Sequence, residues 1–422
     1  MKYINSFTIF FTLISAFIFS GCVKDTCHKF YTYTFYEPVY KTKTEVKANI
    51  KSNPATEIKN PGKIFILGNY IFLNEVDKGV HIIDNSNPAS PQNAAFIDIP
   101  GNVDLAIKGN TLYADLYTDL VTIDISDPLN AVVKKYNEGV FPSRDYTYGL
   151  VGANGNVIID WIKRDTTIEG DCSTSPILYQ NTGILFTVNP AAASDPAKAS
   201  SSPIGMGGSM ARFALANDYL YTVSDQYLNI FNISNSNSPA FVNKFQVDWH
   251  VETIYPFKKN LFIGSNNGMF IYNIQSSPAT PVKIGEFTHA RACDPVIADD
   301  NFAYVTLHSG TSCLGFNNQL DIVSLNNLTN STLAKTYNLT SPHGLSKDGK
   351  LLFICDGTGG LKVYDASDVM NLQLIKQFGN PETYDVIAYN NIAIVVATDG
   401  LYEYDYSNAN NIRLISKIGI TK

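Results

Sequence analysis

Residues 103–136 read VDLAIKGNTLYADLYTDLVTIDISDPLNAVVKKY. Four runs of strand length, VDLAI, TLYADL, LVTIDI and AVVKKY, are separated by KGN, a short loop and SDPLN, which predicts a four-stranded antiparallel meander. The third run is the best marker because it returns along the chain. It appears as VHIID ending at Asp84, LVTID at Asp124, ILFTVN at Asn189, LNIFN at Asn232, MFIYN at Asn273, LDIVS at Ser324, LKVYD at Asp365 and LYEYD at Asp405. The spacings of 40, 65, 43, 41, 51, 41 and 40 residues have the period of a propeller blade, with two copies stretched by insertions. The expected fold is all-β, a β-propeller with eight blades of four antiparallel strands. Seven blades are the alternative, because the third copy is irregular: 160–182 reads as an inserted loop and 190–203 as a poor fourth strand. Turn residues agree with the repeat. Gly109-Asn110, Asn154-Gly155, Asn217-Asp218, Asp348-Gly349 and Asn390-Asn391 tolerate the positive φ of tight hairpins. The Asn, Ser and Asp residues that follow the third strands offer side chains to nearby backbone.

The LVTID, VHIID and LKVYD segments, each followed by a turn of Ser, Asn, Asp and Pro, resemble the LVIVD repeat of bacterial surface propellers. The resemblance covers about 61–422 and implies the fold far more than a ligand. No Trp-Asp pair, Ser-x-Asp-x-Gly-x-Thr-Trp box or kelch double glycine points to a better-known propeller class.

Composition fits strands. Of 422 residues 16% are charged, 12% aromatic and 45% hydrophobic, which excludes a disordered chain and a charge-laced helical bundle. A net charge of -7 leaves no basic footprint for nucleic acid.

At the N-terminus Lys2 precedes an apolar stretch over 7–19 that ends in Phe19-Ser20-Gly21-Cys22. As a helix this stretch covers roughly 20 Å, short of the hydrocarbon core of a bilayer, so it reads as a secretory signal. Phe-Ser-Gly-Cys resembles a bacterial lipobox, as in Bacteroidetes lipoproteins that carry LVIVD propellers, with Phe19 where the pattern prefers an aliphatic residue. The resemblance implies a signal peptide at 1–21, acylation of Cys22 and stable attachment to the outer membrane, facing the cell surface or the periplasm. Val23 resembles an outer-membrane sorting signal, and Lys24-Asp25 a charged surface-export signal. Residues 22–60 then form a lipidated tether, with 39–50 adding a strand across the ring seam, and 61–422 form one propeller.

Cys293 and Cys313 flank the first strands of one repeat copy and are expected to form a disulfide, whereas Cys355 within LLFICD reads as a buried small hydrophobe. In a blade the loop between strands two and three and the linker leading into the next blade share a face. Arg144, Arg212 and Arg291 stand in such linkers and Arg164 in the third-copy insertion, four of the five arginines in the chain. Guanidinium grips carboxylate or phosphate with two prongs, so a rim of Arg144, Arg212 and Arg291 with His343 suits an anionic ligand or a glycan. The same arginines can instead pair with Asp104, Glu252, Asp294 and Asp385 at equivalent lead-in positions. His250, His289, His308 and His343 share that face, but their spacing matches no metal motif, so neither metal nor cofactor is expected. No nucleophile elbow, His-Glu-x-x-His or phosphate-cradling loop is present. The reading is non-catalytic binding of a glycan, an anionic ligand or an envelope protein by the rim. A polysaccharide lyase or hydrolase in the funnel and a structural scaffold in an envelope complex are the alternatives.

Overall fold

The meander forms because its first three strands are mostly buried and its fourth is not. Leu105–Lys108 and Thr111–Leu116 are buried at every position, while Val132–Asn137 has none buried. The first strand therefore lies toward the ring axis and the fourth forms the outer edge. A computed structural model describes residues 28–142, 156–171, 206–289, 295–310 and 317–420. The chain divides into two units, one of 40–159 with 186–422, the other of 1–39 with 160–185.

The first unit is an all-β propeller. Six of its eight marker residues act as expected, closing the turn after the third strand. Asp84, Asp124, Asn232, Asp365 and Asp405 each accept the backbone N–H two residues on at 2.9 Å, and Asn273 does so at 3.1 Å. Hairpin residues Asn217, Asn390 and Asn391 take φ of 55°, 49° and 65°, as their sequence implied. Asn154-Gly155 lies outside the described residues.

Among the described residues the blades are six sheets, which corrects the expectation of eight, or seven. They span 61–98, 105–137, 213–288, 296–338, 345–378 and 383–419. Two physical reasons account for the difference. The copies ending at Asn232 and Asn273 share one six-stranded sheet, because Tyr219–Asn232 and Ala240–Phe257 run on as long continuous strands. The sheet at 105–137 also packs directly on the sheet at 213–288, with no blade between. Tyr113 Oη donates to the Ser236 carbonyl at 2.9 Å, Lys108 Nζ meets Asp218 at 2.5 Å, and Leu112 and Leu120 share a core with Phe213 and Phe231. The copy ending at Asn189 lies outside the described residues.

The ring closes by packing of its first sheet on its last. Ile64, Ile71, Leu73 and Ile83 meet Ile387, Ile394, Val396 and Leu401, and Asn85 Nδ2 donates to Glu403 Oε2 at 2.9 Å. The seam strand expected within 39–50 is replaced by a short helix, Lys43–Ala48. Thr42 specifies it with a capping box: its Oγ1 accepts the Glu45 N–H at 3.1 Å and its own N–H donates to the Glu45 carboxylate at 2.8 Å. Next to it Ser52–Pro54 adds a strand to the outer edge of the first sheet. Met206–Gly207 adds to the inner edge of that sheet.

His28–Lys41 and Val157–Asp171 pair as a two-stranded ribbon, whose Val157 is buried in the propeller core. The inserted loop expected from residue 160 is thus strand as far as Asp171. Among the described residues no helix is long and apolar enough to cross a membrane.

Candidate functional site

Segment 206–212 crosses the centre of the propeller. Gly207 pairs with Phe65, the Ser209 hydroxyl accepts the Leu345 N–H at 2.6 Å, and the Ala211 carbonyl accepts the Ile254 N–H at 2.8 Å. The Arg212 N–H donates to Asp104 Oδ2 at 2.5 Å. The Ser209 amide also bonds the Asp385 carboxyl, so the segment is tied to five of the six sheets. Ser209, Met210 and Ala211 are buried. Glycine is required at 208, because a Cβ there would stand 2.1 Å from Asp385 Oδ2. The segment thus runs between the inner strands of these sheets.

Four of the eight rim candidates converge around this segment. Asp104 and Asp385 are buried, and Arg212 and Glu252 half-buried. Lys63, which sequence reasoning missed, completes the group, its Nζ 2.8 Å from Asp104 Oδ2 with both side chains almost fully covered. Burial pushes the Lys63 ammonium down, opposed chiefly by Asp104. Burial raises Glu252 to about 7 against the pull of Arg212 and Lys63, and lifts Asp385 well above the carboxylate range. Asp115 locks the approach, accepting the Val103 and Asp104 N–H groups at 2.9 and 3.0 Å. The cluster thus sets two cations, Lys63 and Arg212, among three carboxyl groups, Asp104, Glu252 and Asp385. A lysine inside PGKIFIL was the signal for Lys63, since a charge in an otherwise apolar first strand must find a buried partner.

Arg164 pairs with Glu37 at 2.8 Å in the ribbon, and Arg413 with Asp405 at 2.6 Å. Arg144, Arg291, Asp294, Cys22, Cys293 and Cys313 lie outside the described residues, so the rim, the acylation site and the disulfide are not described at those positions. His343 lies against His308 with ring centroids 4.3 Å apart and planes tilted by 38°, and meets Tyr384 edge-on at 5.4 Å. Burial pushes both histidines down, His343 to about 3. His250 is exposed 3.9 Å from Asp225, and His289 lies against Phe287. Among the described residues no three of His, Cys, Asp and Glu gather where a metal ion could be held. Cys355 is a buried thiol, as its sequence implied, with its pKa raised by burial.

Away from the axis, the short helix and the sheet at 105–137 flank an open polar pocket of about 400 Å³, lined by Lys43, Thr44, Lys47, Thr118, Asp119, Glu138, Gly139 and Pro142. Lys47 bridges Asp119 at 2.9 Å and Glu138 at 2.7 Å while resting over the Tyr136 ring. Lys43 reaches Thr118 Oγ1 at 3.1 Å. Ammonium, carboxylate and hydroxyl groups here face one space of the size small ligands occupy.

The LVIVD repeat matches the chain at 61–95, 101–136 and 207–247, which is consistent with a β-propeller built from repeats. The third match begins within segment 206–212. No curated protein matches the chain in sequence. Among solved structures it is similar to Sqt1 of Saccharomyces cerevisiae, at 9% identity and a TM-score of 0.51, over 88% of this chain and 90% of that one. It is similar to the computationally designed protein Ika8, at 10% identity and a TM-score of 0.50, over 86% of this chain and 89% of that one. It is also similar to PorZ of Porphyromonas gingivalis, described as an essential bacterial surface component of the type-IX secretion system, at 9% identity and a TM-score of 0.50. That match covers 88% of this chain and 40% of PorZ. At such identities the likeness is one of fold.

Proposed function

We propose that the protein is an outer-membrane lipoprotein, acylated at Cys22, whose propeller binds an envelope glycan without transforming it. The observation that carries this reading is the cavity beside the short helix, where Lys43, Lys47, Thr118, Asp119 and Glu138 present donors and acceptors suited to sugar hydroxyls. A rigid ring with variable loops suits recognition. The arginines of the described residues each face carboxylates, so the cavity rather than an arginine rim is the binding site in this reading. A glycan-array screen with the soluble chain tests it. Binding that falls about tenfold in Lys43→Ala and Glu138→Ala is the expected result, since each removes a direct hydrogen bond to the ligand. Binding that ignores both changes, or an empty array, contradicts it and turns the search to protein partners by cross-linking in native envelopes.

A further inference from the structure

The ribbon of His28–Lys41 and Val157–Asp171 has no core of its own. Two strands of 14 and 15 residues are joined by their ladder and by a few polar contacts: Thr32 Oγ1 with Thr167 Oγ1 at 3.1 Å, Thr34 Oγ1 with Asp165 at 2.6 Å, and Arg164 with Glu37. An isolated two-stranded sheet is marginal in water. This one also carries a heavy load of exposed rings. Phe30 is 69% exposed, and Phe35, Tyr36, Tyr40, Trp161 and Ile162 are each more than 40% exposed.

Three observations indicate what covers them. The first strand holds six aromatic residues in 14 and a single aliphatic one, Val39. Rings of this kind settle at the headgroup level of a bilayer, whereas a protein core would call for aliphatic residues as well. The rings also occupy both faces, Phe30 and Tyr36 on one, and Tyr31, Tyr33 and Phe35 on the other, because side chains alternate along a strand. A protein groove engages one face, but a lipid interface surrounds both. Finally, Cys22 stands six residues before His28, at most about 21 Å of extended chain. Acyl chains on Cys22 would hold the start of this strand near the headgroups.

We propose that the ribbon docks on the lipid surface and lies in its interfacial layer, a second attachment beside the acyl anchor. The proposal rests on the lipoprotein reading for its geometry. The outer edges of both strands keep backbone groups outside the ladder, which fixes the depth: hydrated headgroups can satisfy them and hydrocarbon cannot.

The test uses the complete mature chain with Cys22→Ser, so no acyl group contributes, and Trp249→Phe, so that Trp161 is the only tryptophan. Vesicles of phosphatidylethanolamine and phosphatidylglycerol are added. Expected are co-sedimentation with the vesicles, a blue shift of Trp161 emission and quenching by lipids brominated near the headgroup. Phe30→Ser with Tyr36→Ser should weaken the partition by about a hundredfold, roughly tenfold for each ring removed from water. Phe241→Ser, an exposed ring on an outer propeller strand, should leave it unchanged and reports on folding. Trp161 emission that does not respond to lipid, or equal loss in Phe241→Ser, overturns the proposal. Acylation of Cys22 is read separately, from the mass of the N-terminal peptide of the native protein, so failure of the anchor and failure of the ribbon are distinct results.

Discussion

The centre of the propeller and the ribbon invert each other. At the centre, Asp104 and Asp385, which look functional in sequence, are buried and bond the backbone of segment 206–212. In the ribbon, aromatic residues that look like core are exposed. What separates the two is whether a side chain has its partner within the fold. Asp104 accepts from both the Lys63 ammonium and the Arg212 backbone N–H, so removing it should cost stability. Phe30 and Tyr36 have no such partner, so removing them should cost stability almost nothing.

The largest expected effect is at the centre. Asp104→Ala strips the acceptor from both Lys63 Nζ and the Arg212 N–H, leaving a buried ammonium without its counter-charge. Denaturant unfolding should show a loss of roughly 3–5 kcal/mol. A loss below 1 kcal/mol would mean that the cluster is hydrated and open to ligand.

Glu403 at the ring seam comes next. Burial raises this carboxyl to about 7, with hydrogen bonds from Asn85 and Ser416 opposing. Its folded value lies above its unfolded value, so its favourable contribution is whole below pH 4.5 and is lost as pH rises through 7. The contribution is of the order of 3 kcal/mol. Unfolding curves at pH 5 and pH 8.5 should therefore differ, and Glu403→Gln should reduce that slope by its own share. Glu252 and Asp385, also raised by burial, add effects of the same sign. A slope unchanged by Glu403→Gln would show that the seam carboxyl is solvated.

Gly208→Ala sharpens the comparison further, since its Cβ would meet the Asp385 carboxyl. Overpacking at that contact should cost about 2 kcal/mol by thermal or chemical unfolding. At the small end stand Phe30→Ser and Tyr36→Ser, expected to shift stability by no more than about 0.5 kcal/mol in the absence of lipid. A larger loss would make the ribbon a structural element.

The repeat was legible because its chemistry is local. Asp84, Asp124 and Asp405 close their own turns within two residues, and Asn217 and Asn390 supply the hairpin φ, so neither feature needs a tertiary partner. The blade number was not legible, since Tyr219–Asn232 and Ala240–Phe257 join two copies into one sheet through long-range pairing. The helix at Lys43–Ala48 was signalled by Thr42 and Glu45, a capping box passed over in a stretch read as strand. Asp104, Arg212, Glu252 and Asp385 were placed together by their equivalent positions, but the partner that makes them structural, Lys63, comes from a different sheet. GMGGSM reads as loop in sequence. Only the close approach to Asp385 explains why it needs glycine.

Hydrogen exchange measured residue by residue tests the central claim most directly, because it reads segment 206–212 and the ribbon in one experiment. The amides of Gly207, Gly208, Ser209 and Arg212 should be among the slowest in the chain, opening only with the whole propeller, while the ribbon in lipid-free solution exchanges far faster. Amides of that segment that exchange as fast as those of the ribbon would contradict the account, and would make the axis of the propeller an accessible site.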